Sequence, residues 1–296
     1  MGERLCQIQN REGRNLGFAQ WGGLAGVPVF WLHGTPGSRF GLPADEEALR
    51  RIGVHLITYD RPGYGMSERA PGRRIVDCVA DVEQIADTLG IDHFRVIGRS
   101  GGGPHALALA ARLPDRVIRA GCVAGPVPAD AAGLDWMDGM DPKNQEEFGW
   151  AEQGERVLQA ELEREAVALL DRIEADPSQV LSEDWGVDPA DRQVLAIPQM
   201  QRMLGEMLRE AYRAGVWGWV DDDLAYLQPW GFDLGEITVP VQVCYGTKDV
   251  LVPPTHGVWL VEHIPGAQAV VLNDAGHLTD PETMLELLRS LIAVDR

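Results

Sequence analysis

The chain has 296 residues, 45% of them apolar and 24% charged, and its formal net charge is −19. That length suits one large domain with an insertion better than two independent domains, and the apolar share excludes general disorder. So acidic a surface repels phosphate backbones and anionic headgroups. It argues against nucleic-acid and membrane-surface partners, and its plainest reading is solubility. A small-molecule substrate and a monomer or homodimer are expected, on grounds other than charge.

Taken in chain order, the opening MGERLCQIQNREGR is polar and holds no apolar run of signal-peptide length. No later stretch is long enough to cross a bilayer, so a cytoplasmic protein is expected. Residues 5–20 are predicted to add an antiparallel hairpin at a sheet edge. Short apolar runs rich in Val, Ile and Phe follow at 27–32, 54–59, 93–98, 117–123, 239–245 and 267–272. Several are apolar nearly throughout, as strands buried on both faces must be. Helical patterns lie between them at 75–89, 101–112, 255–263 and 281–294. This alternation predicts an α/β fold with a mostly parallel sheet and helices on both faces.

The alternation stops between about 126 and 228. That stretch has no buried-strand run, is punctuated by Pro177, Pro189 and Pro198, and carries a long helical pattern over 155–176 with Leu158, Leu162, Leu169 and Ile173 on one face. The predicted division is a core of residues 1–125 and 229–296 and a helical cap of residues 126–228. Cys6, Cys78, Cys122 and Cys244 are scattered without a C-x-x-C pair. They read as reduced thiols, and neither a metal nor a cofactor is expected.

Gly98-Arg99-Ser100-Gly101-Gly102 matches G-x-S-x-G, and its context gives the match weight. A buried strand runs into it and a small-residue helix leaves it, as a nucleophile elbow requires. A phosphate loop would need a lysine followed by Ser or Thr, and the chain has neither here. A serine hydroxyl needs a base, and the base needs an orienting group. Among seven histidines, His277 stands in AGHL, just after the last strand and before the last helix. His105 lies in the helix after Ser100. His55 and His93 begin strands at the other end of the sheet, and His256 and His263 share one helix. Asp249, in GTKDVLVP after the strand at 239–245, is the expected acid. Asp274 is expected to shape a turn, and Asp221–Asp223 to form a solvated helix start. The order Ser100, Asp249, His277 is the order of the α/β-hydrolases.

The chain resembles an α/β-hydrolase with a helical cap, of the esterase or proline-iminopeptidase-like branch. WLHGTPGSR resembles that family's HG oxyanion loop, YDRPGYGMSE its D-x-x-G-x-G-x-S turn, GRSGGG its elbow, GTKDVLVP its acid loop and AGHL its histidine loop. The resemblance implies that His277 takes the proton of Ser100, that Asp249 holds the imidazole, and that the backbone N–H groups of Thr35 and Gly101 meet the oxyanion. It implies a structural role for His33 and scaffolding for the turn from Asp60 to Ser67. It also implies a serine hydrolase acting on a carboxylic ester or lactone through an acyl-enzyme. The alternatives are a cyclising or C–C-cleaving enzyme, an aminopeptidase of the proline iminopeptidase type, and a small-molecule receptor. HGTPGS and GRSGG depart from the HGGPG and G-x-S-W-G expected of proline iminopeptidases. Arg99, Trp136, Met137, Trp150, Trp217, Trp219 and Tyr226 are the candidate substrate contacts. The aromatic residues among them are equally expected to fasten the cap to the core, and Arg99 is open to substrate, a cap acid or solvent.

Overall fold

Apolar runs such as VPVFWL and VHLITY lack the alternation of a half-solvated strand, and in the computed structural model they lie well inside one eight-stranded sheet. The structure describes residues 5–42, 44–176, 180 and 188–293. In chain order the strands are β1 (Leu5–Gln9), β2 (Asn15–Gly22), β3 (Val27–Leu32), β4 (Val54–Tyr59), β5 (Phe94–Arg99), β6 (Val117–Val123), β7 (Val241–Gly246) and β8 (Gln268–Leu272). Their spatial order is β1-β2-β4-β3-β5-β6-β7-β8. β1 and β2 form the expected edge hairpin, β2 meets β4 antiparallel, and the remaining pairs are parallel. The predicted strand at 93–98 begins one residue later, with His93 in the preceding turn. β7 starts at Val241 rather than Val239, because Pro240 has no N–H for the ladder.

Parallel neighbours need crossover connections, and helices supply them. α1 (Glu46–Arg51), α2 (Cys78–Leu89) and α3 (Gly102–Arg112) precede the long connection between β6 and β7. The described part of that connection holds α4 (Pro142–Glu152), α5 (Glu155–Ala175), α6 (Pro189–Leu195), α7 (Pro198–Ala211) and α8 (Trp217–Tyr226). α9 (Pro254–His263) and α10 (Pro281–Ile292) follow β7 and β8. Pro142, Pro189 and Pro198 open their helices, where a missing N–H costs nothing. Pro177, read as punctuation, and Val294, read as the end of the last helix, lie outside the described residues.

Successive side chains of a strand face opposite ways, so each strand feeds two cores. On β3, Phe30 and Leu32 pack with Phe94, Val96, Val82 and Leu107, while Val29 and Trp31 pack with Leu49, Ile97 and Leu288 on the other face. Truncating one of these large aliphatic side chains to Ala costs about 2–5 kcal/mol. Burial on both faces fixes the strand register, and so fixes which loops emerge at the carboxyl edge. The loops after β3, β5, β7 and β8 carry Thr35, Ser100, Asp249 and His277 to that edge, where ligands bind in open parallel sheets.

Candidate active site

Ser100 sits between β5 and α3 with φ of +52°, in a left-handed conformation that costs a non-glycine residue about 1–3 kcal/mol. The turn holds because its neighbours lack side chains. A Cβ on Gly98 would strike the Gly102 carbonyl, and one on Gly102 would strike the carbonyls of Leu32 and His33. The Ser100 N–H donates to the Val123 carbonyl at 2.7 Å, and its carbonyl accepts from Gly103 at 2.8 Å.

The structure brings the three expected residues into one hydrogen-bonded chain. Ser100 Oγ lies 3.0 Å from His277 Nε2, and His277 Nδ1 lies 2.8 Å from Asp249 Oδ2. With Nδ1–H donating to the carboxylate, Nε2 is free to accept the serine proton. The other carboxylate oxygen, Asp249 Oδ1, accepts from the N–H groups of Leu251 and Val252, each at 2.9 Å. Asp249 is thus buried with every oxygen committed.

The histidine loop is held from the far side by a residue that the sequence did not single out. Asp191, fully buried on α6, accepts the N–H of His277 at 3.1 Å and that of Leu278 at 2.6 Å. In the sequence Asp191 is one more acid in the polar run DPADRQ, 86 residues from His277, and no local pattern links the two.

Thr35 and Gly101 flank the serine. The backbone N–H of neither donates to any described residue. A Cβ on Gly101 would run into Thr35 Oγ1 and the Tyr226 hydroxyl, so only glycine fits there. Tyr226 OH lies 2.9 Å from the Gly101 carbonyl and 2.7 Å from Thr35 Oγ1. Thr35 Oγ1 donates to Asp222 Oδ2 at 2.6 Å. Behind them, His33 Nδ1 donates to the Gly34 carbonyl at 2.7 Å and Nε2 accepts from the Arg61 N–H at 3.2 Å. Burial, followed by the Arg61 charge, pushes the His33 pKa well down, so this brace is a neutral imidazole.

Asp222 overturns the expectation of a solvated acidic helix start. Asp221, Asp222 and Asp223 are all buried on α8. Successive helical residues point about 100° apart, so three acids in a row face three directions. Asp221 meets Arg69 in a two-pronged pair at 2.8 and 2.9 Å. Asp222 takes Arg61 at 2.5 and 3.2 Å, Arg73 at 2.7 Å and Tyr64 OH at 2.9 Å. Burial works against the Asp222 charge, but Arg61 and Arg73 outweigh it and hold its pKa well below the ordinary carboxylate range. The run was unreadable locally because its partners lie some 150 residues earlier, in and after the turn Asp60–Ser67. That turn is itself tied down, with Asp60 paired to Arg39 and accepting from Met66 N–H at 3.0 Å, and Ser67 Oγ donating to the Asp60 carbonyl at 2.6 Å.

Ser100 borders a cavity of about 210 Å3 between the sheet edge and the helices of the long connection. Of the candidate contacts, Arg99, Trp136, Trp219 and Tyr226 line it. Met137, Trp150 and Trp217 do not: Met137 packs on the main core, Trp150 packs beside α5 and α8, and Trp217 lies 3.8 Å beneath the Arg69 guanidinium. Even among the lining residues polar atoms are committed. Trp136 Nε1 donates to the Val127 carbonyl at 2.7 Å, and Trp219 Nε1 to Glu147 Oε1 at 2.8 Å. The expectation that these aromatics fasten the helices to the core and the expectation that they line a pocket both describe Trp136 and Trp219. Glu147 and Asp223 sit on the wall that α4 and α8 supply, where burial raises the pKa of both.

The remaining histidines stay outside this chain of contacts. His105, buried in α3, bonds the Gly101 carbonyl at 2.9 Å, and burial pushes its pKa down to about 3. His256 bridges the Val127 N–H and the Trp136 carbonyl, and burial pushes it to about 4. His55 bonds Gln20, and His263 stacks on Trp259. Asp274 is exposed, has φ of +57° and pairs with Lys248, so it shapes the turn. The four cysteines are free thiols. Among the described residues no cluster suited to a metal ion is found, and no helix is long and apolar enough to cross a membrane.

A family model described as alpha/beta hydrolase fold matches residues 27–279. Among curated proteins, the chain is 28% identical to the 2-hydroxy-6-oxononadienedioate/2-hydroxy-6-oxononatrienedioate hydrolase of Cupriavidus pinatubonensis over 264 residues, which cover 86% of this chain and 82% of that one. It is 23% identical to the 3-oxoadipate enol-lactonase 1 of Acinetobacter baylyi, with 96% of each chain covered. Among solved structures, a hydrolase from Pseudomonas aeruginosa shares the fold with a TM-score of 0.71 at 22% identity, with 98% of each chain covered.

Proposed function

This chain belongs to the α/β-hydrolase family, and from that premise we propose that it is a serine hydrolase that cleaves a carboxylic ester or lactone of a small, largely apolar substrate. The curated relatives named as a hydrolase and an enol-lactonase support hydrolysis in general. The observation that carries the finer reading is the chain Ser100–His277–Asp249 at 3.0 and 2.8 Å, beside two N–H groups that donate to no described residue.

In this reading His277 Nε2 accepts the Ser100 proton while Oγ attacks the carbonyl carbon. The carbonyl oxygen becomes an oxyanion and receives the N–H groups of Thr35 and Gly101, each worth about 3–4 kcal/mol in the transition state. Asp249 holds the imidazole in the required tautomer and stabilises its cation. The imidazolium then gives its proton to the departing alkoxide, which leaves an acyl-Ser100 ester. Water deprotonated by the same His277 attacks that ester, and the proton returns to Ser100 Oγ as the acid departs. The cap helices close the cavity over this chemistry and select by size, and Trp136 and Trp219 supply its apolar wall.

Hydrolysis of 4-nitrophenyl butyrate by the parent, reduced by about four orders of magnitude or more in Ser100→Ala, is the expected result. A fluorophosphonate should label the parent and Ser67→Ala but not Ser100→Ala. Absence of both turnover and labelling in the folded parent would overturn the reading.

A further inference from the structure

Arg99 stands immediately before the nucleophile, at the end of β5, and lines the same cavity as Ser100, His277 and Leu278. It also borders a smaller recess under α7, beside Met203, Thr279 and Met284. A guanidinium carries five N–H donors in a planar fork and is built to meet a carboxylate. Here none of the five meets a hydrogen-bond or ion-pair partner among the described residues. Other buried or half-buried arginines of the molecule do: Arg39 pairs with Asp60 and Glu210, Arg61 and Arg73 with Asp222, and Arg69 with Asp221.

The two carboxylates whose fields reach Arg99 are those of Asp191 and Asp249, and both are already committed. Asp249 holds the imidazole of His277 and two N–H groups, and Asp191 holds the N–H groups of His277 and Leu278. They keep the guanidinium charged across space without bonding it. Arg99 is half-buried, so its guanidinium has lost part of its water, and an anion that pairs with it in the cavity offsets that partial desolvation. The lost water pushes the Arg99 pKa down against the pull of the two acids.

We propose that Arg99 is a substrate anchor, and that the ester or lactone this site takes carries a carboxylate a few bonds from its reacting carbonyl. The inference rests on the serine-hydrolase reading and deepens it. The carboxylate completes the guanidinium fork when the substrate binds, and its position fixes the carbonyl over Ser100. Selection is by local pairing, because the net charge of −19 repels anions at long range.

The test compares anionic and neutral esters of similar shape. Mono-4-nitrophenyl glutarate against 4-nitrophenyl butyrate places the carboxylate on the acyl side, and O-butyrylglycolate against ethyl butyrate places it on the alcohol side. The parent should prefer the anionic member of at least one pair by tenfold or more in kcat/KM. In Arg99→Met or Arg99→Gln that ratio should fall ten- to hundredfold, and Arg99→Lys should recover part of it. A second arm needs no turnover: millimolar glutarate should raise the melting temperature of Ser100→Ala and leave that of Ser100→Ala/Arg99→Met unmoved. If Ser100-dependent hydrolysis is found with no anion preference in the parent for either pair, the anchor is wrong and the hydrolase reading stands. If both members of a pair lose activity equally in the Arg99 variants, Arg99 only tunes the field of Asp191 and Asp249, and the anchor is again wrong. If no ester is cleaved but glutarate stabilises in an Arg99-dependent way, the anchor holds and the hydrolase reading falls.

Discussion

The floor and the roof of the cavity are built by different means. The floor is the carboxyl edge of the sheet, where backbone geometry positions Ser100: a left-handed φ, glycines whose Cβ atoms would collide, and strands whose register is fixed by burial on both faces. The roof is held by charge. α8 is pinned through Asp221 and Asp222 to Arg69, Arg61 and Arg73, and α6 is pinned through Asp191 to the histidine loop. Short-range geometry constrains sequence locally, whereas buried ion pairs join distant positions. A mutation in the floor should therefore damage chemistry before stability, and a mutation in the roof should do the reverse.

Asp249→Asn is the sharpest test of the first half. The shape is kept but the imidazole loses its orienting carboxylate, so kcat should fall by about 10⁴ with a melting temperature within a few degrees of the parent. A comparable loss of stability would erase the contrast between floor and roof. Asp222→Asn tests the other half. It leaves Arg61 and Arg73 buried without their counter-charge, and urea unfolding should show a loss of about 3–5 kcal/mol. This effect carries a pH signature. The folded pKa of Asp222 is depressed, so its contribution is fully present above the unfolded value and is lost as pH falls through the folded one. The gap between parent and Asp222→Asn should be constant above about pH 5 and should narrow below about pH 4. A gap independent of pH would mean that shape, not charge, holds α8. Asp191→Asn should be the mildest. One acceptor of the pair is kept, and stability should fall by about 1–2 kcal/mol. Because the bonds lost hold the backbone of His277, kcat should drop several-fold with KM little changed. A change in KM alone would make Asp191 a wall of the pocket rather than a support of the base.

The same division explains what the sequence made legible. The elbow could be read because G-x-S-x-G between a buried strand and a small-residue helix is a local demand of sterics. Asp249 and His277 could be read because each follows a recognisable strand in the right order. Six strands were legible from apolar runs, with misplacements of a residue or two where Pro240 or a turn interrupts the ladder, and β1 and β2 were legible only as a hairpin in the polar opening. Asp191 and Asp221–Asp223 were not legible in their roles, because a buried acid and a solvated one look alike in sequence until the partner arginine is placed. Trp150 and Trp217 went astray for a related reason: an indole has the same signature whether it lines a cavity or fills a seam.

The hydroxyl of Thr35 lies within hydrogen-bond reach of Asp222, Arg61 and Tyr226, and its loop passes beside Ser100. Two of those three partners ride on α8. Lifting that helix would therefore loosen the Thr35 loop beside Ser100 at the same moment as it admitted solvent, and in the proposed mechanism that loop supplies an oxyanion donor. Enclosure and reactivity become a single variable, so an ajar enzyme is also a disarmed one.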